Sequence, residues 1–112
     1  MIHEINLEIG RPDVIQALRQ LEFFIANVRV QNEKVIKIIH GYGSTGRGGS
    51  IRGGVRRLMR EYKADGRITL FIKGEDFSIF DPSTRYLIEK CPDVSDDKDL
   101  NRSNNGITYI ML

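Results

Sequence analysis

The chain has 112 residues, 40% of them hydrophobic and 29% charged, with a net charge of +2. These proportions suit one globular domain over residues 1–112 and leave no room for separate cofactor and substrate domains. A single cysteine, Cys91, excludes an internal disulfide and a Cys-rich zinc centre; the absence of a long apolar run and the acidic opening MIHEINLEIG predict neither a membrane span nor a secretory leader, with cytoplasm as the expected compartment.

In chain order, IHEINLE (2–8) alternates well enough for a first strand. Pro12 then marks a helix start. Val14, Leu18, Leu21, Ile25 and Val28 follow at spacings of four and three, which predicts an amphipathic helix over 13–31. KVIKIIHG (34–41) is β-branched and almost continuously apolar, the pattern of a central strand covered on both faces. A glycine-rich loop leads into SIRGGVRRLMREYKADG (50–66), a helix with Ile51, Val55, Leu58 and Tyr62 on one face and Arg52, Arg56, Arg60 and Lys63 beside it. Gly53 and Gly54 weaken that helix, and their presence predicts a close approach of its backbone to a strand or ligand.

Gly66 ends the helix, and RITLFIKG (67–74) is a third strand. Asp81 caps a third helix with Pro82 at its first position, a polar loop follows, and ITYIML (107–112) closes the chain. The order β-α-β-α-β-(α)-β predicts a two-layer α/β sandwich on a four-stranded mixed sheet, its first three strands parallel.

Charge is distributed unevenly. Residues 41–63 hold Arg47, Arg52, Arg56, Arg57, Arg60 and Lys63 against Glu61 alone, whereas residues 75–105 hold eight acids against four bases. The basic region coincides with GYGSTGRGGS (41–50), which contains a G-x-G-x-x-G and a near-match to a phosphate-binding loop. The turn is too long for a dinucleotide fingerprint, and it follows the second strand rather than the first. In the second motif Arg47 stands for the lysine and Gly48 for the magnesium-binding hydroxyl, so nucleotide hydrolysis is not expected. What survives is the physics common to both: exposed backbone N–H groups, a helix start and guanidinium forks, all suited to phosphate oxygens.

VIKIIHGYGSTGRGGSIRGGVRRLM resembles the Smr (small MutS-related) domain, whose hallmark is a strand ending in His-Gly-x-Gly. His40, Gly41 and Gly43 match it, Ile51, Arg52 and Val55 match the helix opening of the family, and NNGITYIML matches its closing strand. The resemblance implies a two-layer fold and nucleic-acid binding, with DNA nicking or RNA cleavage in some members. Nuclease members carry Leu-Asp-x-His on the first strand; INLE (5–8) here puts Asn6 in place of the aspartate and Glu8 in place of the histidine.

The expected nucleic-acid contacts are therefore His40, Gly41, Tyr42, Gly43, Arg47, Arg52 and Arg56, with Tyr42 placed to stack on a base or sugar. His40 and Glu8 are the candidates for proton transfer, should the domain cut its substrate. No cofactor and no resident metal are expected; a divalent ion belongs only to the nuclease reading. Phe77, Phe80 and Tyr86 could stack a base, but core packing is the expectation for all three. A protein-interaction module using the acidic loop 93–99 or an exposed sheet edge is the alternative from another class. DNA or RNA is the expected partner, a membrane is not, and no protein partner is identified.

Overall fold

Val35–Ile39 (β2) is buried almost throughout because it has a strand on each side and packing on both faces. The computed structural model describes residues 2–32, 34–42 and 50–112. It orders the sheet β1 (Ile2–Asn6), β2, β4 (Ile107–Met111), β3 (Leu70–Lys73). β1 runs parallel to β2, while β4 is antiparallel to both β2 and β3. The first three strands thus point the same way, as expected, with the last inserted between the second and third. Their carboxyl ends, at Asn6, Ile39 and Lys73, share one edge of the sheet with the start of β4, through the pairs Asn6–Ile39, Ile39–Ile107 and Lys73–Thr108.

Alternation along the strands builds two cores. Ile36, Ile38 and Ile110 face α1 (Val14–Val30) and α2 (Ile51–Ala64), meeting Leu21, Ile25, Val28, Val55 and Met59. These two helices and the sheet make the two-layer sandwich. Val35, Leu70, Ile72, Ile107, Tyr109 and Met111 face the other way, where Phe77, α3 (Pro82–Lys90) and the 3-10 turn Pro92–Asp96 cover them with Leu87, Cys91 and Val94.

Local chemistry sets the helix ends. Asp13, not Pro12, opens α1: its carboxylate accepts from Gln16 N–H, and the Gln16 side chain returns a bond to Asp13 N–H. This reciprocal cap is the stronger signal, because it satisfies two orphan donors at once. Ser50 caps α2 through Gly53 N–H, Asp81 caps α3 through Thr84 N–H, and Gly66 leaves α2 at φ +77°. The close approach at Gly54 is to another helix, α1, and not to a strand or ligand as expected: a Cβ there would lie 2.9 Å from Val14 Cγ1.

Two aromatic expectations need correction, and the covered strand holds one charged side chain inside. Lys37, read as part of an apolar strand, is 2% exposed on the α3 face. It survives there because Asp99 and Asp97 lie 2.6 and 3.0 Å from its ammonium, and the Tyr109 hydroxyl donates to Asp97. Burial disfavours the charged lysine, but its bonds to Asp99 and Asp97 outweigh that and raise its pKa. Two acids of the loop 93–99 are therefore internal counter-ions and not a docking surface. Of the three aromatics assigned to the core, only Phe77 is buried, its ring 4.5 Å from that of Tyr109. Phe80 is 82% and Tyr86 42% exposed, because the turn before α3 and the α3 surface direct them outward.

Candidate functional site

The shared carboxyl edge of β1, β2 and β3 is where ligands of open α/β sheets bind, since loops leave it in different directions around a crevice. Most of the expected site residues converge there. Asn6 ends β1 and its side chain accepts from Glu8 N–H at 2.9 Å, turning the chain so that Glu8 lies beside Gly41. A Cβ on Gly41 would lie 2.5 Å from Glu8 Oε2, and Gly41 itself sits at φ +78°. Only glycine satisfies both conditions without strain. The N–H groups of His40 and Gly41 both donate to the carbonyl of Gly106, at 2.9 and 3.0 Å, which seats the end of β2 against the start of β4.

His40 is 3% exposed. Its Nδ1 lies 2.9 Å from the Gly41 carbonyl, which can only accept, so Nδ1 carries the proton. Its Nε2 lies 2.8 Å from Thr108 Oγ1 and accepts that hydroxyl. Burial, outweighing the Gly41 carbonyl, and then the charges of Arg56 and Arg52 lower its pKa to about 4. The imidazole is therefore neutral at neutral pH, with both nitrogens engaged.

Arg56 approaches from the second turn of α2. It forms a two-pronged ion pair with Glu75, at 2.6 and 2.9 Å, while its Nη2 reaches the Asn105 carbonyl at 3.4 Å and its Nε lies 3.5 Å from Thr108 Oγ1. Burial raises the Glu75 pKa, but the bond to Arg56 outweighs it and the net shift is downward. Arg56 is thus already neutralised. Arg52, one turn earlier, is half-buried, and Arg57, Arg60 and Lys63 are exposed. Among the described residues none of these four has a carboxylate within 4.0 Å. Tyr42 is 71% exposed just beyond Gly41. Gly43 and Arg47 lie outside the described residues.

Sequence reasoning missed Thr108, the pairing of Glu75 with Arg56 and the bonds of the Asn104–Gly106 turn. Thr108 looked like one more strand residue, and only its register opposite the end of β2 brings it to His40. The NNG triplet before β4 did carry a signal: Asn104 Oδ1 accepts from Gly106 N–H at 2.9 Å, the self-bonded turn that asparagine favours.

No family model matches the sequence and no curated protein is found similar to it. The fold does have a counterpart. The crystal structure of the Smr domain of Thermus thermophilus MutS2 superposes with a TM-score of 0.57 at 17% identity, over 98% of this chain and 96% of that one. The chain has an Smr-like fold.

Proposed function

With that fold as the frame, we propose that the carboxyl edge of the sheet binds the backbone of a nucleic acid, as a grip and not as a nuclease. The observation that carries this reading is the set of α2 cations without counter-ions among the described residues, Arg52, Arg60 and Lys63 along one side of the helix and Arg57 toward α1, behind the glycine-rich stretch. Backbone N–H groups and guanidinium forks at a helix start favour phosphate. Arg52 is the residue this reading places on a phosphate; Arg56, tied to Glu75, shapes the site.

His40 supports a grip over cleavage. A general acid or base needs a pKa near the working pH and a free nitrogen within reach of substrate. Here the ring is buried and neutral, with one nitrogen on Gly41 and the other on Thr108. It fixes the shape of the His-Gly turn. Asn6, which ends the first strand beside Glu8, cannot act as a general acid or base.

Fluorescence anisotropy with labelled DNA and RNA over a salt series, with product sizes read on the same samples, tests this. The expected result is salt-sensitive binding with intact strands. Arg52→Ala should lower affinity and flatten the log–log salt slope by about 1. Strand cutting abolished by His40→Ala would overturn the grip in favour of a nuclease.

A further inference from the structure

Resting on the backbone grip just proposed, we infer that Phe80 and Tyr42 form a stacking platform for unpaired bases, so that the domain's partner is a single-stranded segment and not a continuous duplex. The two rings are 82% and 71% exposed. They leave the same edge of the sheet: Tyr42 follows β2 by three residues, and Phe80 follows β3 by seven. These strands flank β4, so they lie about 10 Å apart at a spacing of about 4.8 Å per strand. The strand ends from which the two segments depart are thus within the span of a short run of single strand.

Phe80 is held out by construction. Phe77, buried against Tyr109, anchors the turn from below. Above it Asp81 N–H donates to the Ser78 carbonyl at 3.0 Å and Phe80 N–H to Ser78 Oγ at 3.1 Å. Ile79 N–H donates to Asn101 Oδ1 at 3.0 Å, and the Arg85 guanidinium donates to the Ile79 carbonyl at 3.1 Å. Every N–H from Ile79 to Asp81 is thus committed, and the turn presents an aromatic ring on a fixed backbone. Such preorganisation limits the ordering cost of binding.

The surrounding charge selects the partner. Arg85 sits at the turn and Lys73 just before it, both exposed, as is Asp76 between them in the chain. The two other nearby acids are spent, Glu75 on Arg56 and Asp81 on the cap of α3. Cations beside exposed rings suit a polyanion that carries its own aromatic faces. In a duplex those faces are already stacked on one another, whereas in a single strand they are free.

Phe80→Ala separates this inference from the grip beneath it, since a side chain so exposed can be removed without loss of fold, as a thermal melt will check. The probes are a labelled single strand of about 20 nucleotides in DNA and in RNA, the same strand with abasic sites, and a duplex of equal length. Phe80→Ala should weaken single-strand binding about tenfold, Phe80→Tyr should restore it and Phe80→Leu should not, with abasic and duplex binding unchanged. Equal affinity of wild type and Phe80→Ala for the single strand, or equal losses on the abasic strand, would overturn the platform while leaving the grip intact. Failure of the wild type to bind any of the three probes at low salt would overturn both.

Discussion

Acidifying the solution from about pH 7.5 to about pH 4.5 should remove about 2–3 kcal/mol of stability through His40, at 1.36 kcal/mol per unit of pKa shift. The unfolded chain binds this proton at the ordinary value of 6.5, while the folded protein binds it only near 4, because burial and the two arginines oppose the charge. A group whose pKa falls on folding stabilises in its deprotonated form, which for histidine is the neutral one. Its contribution is complete above 6.5 and drains away as pH falls toward 4. Glu75 and Asp99 act in a lower range: their folded values lie below the ordinary 4.5 and 3.8, so their contributions fade only as pH falls through those depressed values. His40 therefore dominates the upper window. Urea unfolding followed by far-ultraviolet circular dichroism, at several pH values, should give a steep slope for wild type and a shallow one for His40→Asn. Parallel slopes, or an imidazole seen by NMR to titrate near 6.5 in the native protein, would refute the reasoning.

Four further outcomes follow from the geometry. Gly74→Ala should destabilise by about 3 kcal/mol in urea unfolding, since its Cβ would lie 1.8 Å from the Asn104 carbonyl oxygen and backbone would have to yield. Asp99→Ala should cost about 3–5 kcal/mol by leaving Lys37 buried with half its counter-charge, whereas Lys37→Met combined with Asp97→Asn and Asp99→Asn should recover most of that loss. The raised Lys37 pKa adds an alkaline limb: its stabilisation is whole below the unfolded value of 10.5 and is lost as pH rises through the folded one, visible as a high-pH unfolding edge absent in the triple variant. Arg56→Ala should lower stability by only about 1 kcal/mol, because Glu75 is partly exposed, and should leave the salt slope of nucleic-acid binding nearly unchanged, in contrast to Arg52→Ala.

Periodicity carried most of the fold. The stripe on α1, the cap at Asp81, the stop at Gly66 and the four strands all rest on local chemistry, and local chemistry is visible in one dimension. The misses share a different cause. Lys37 needed partners sixty and more residues away, and nothing near it in the chain announces Asp97 or Asp99. Phe80 and Phe77 are three residues apart with the same side chain, yet one is a core anchor and the other is 82% exposed. The tertiary path of one turn decides that difference. In the site, His40, Gly41, Glu8 and the arginines of α2 were legible because they sit in one contiguous motif or at a strand end. Thr108 and the Arg56–Glu75 pairing were not, since only the tertiary fold brings those partners together. Strand order also altered the meaning of Arg56, a charge for the ligand by sequence and a partner of Glu75 by structure.

The insertion of β4 between β2 and β3 has a consequence for how the domain is made. Among the described residues β3 pairs only with β4, and β2 is not hydrogen-bonded to it. Until residues 107–111 have been synthesised and have left the ribosome, β3 has no ladder partner and His40 lacks both the Gly106 carbonyl that seats it and the Thr108 hydroxyl that bonds it. β1, α1 and β2 can dock early on their own contacts. The binding edge cannot, so a nascent chain halted before Ile107 should show no grip on nucleic acid, and completion of the last strand should switch that grip on in a single step.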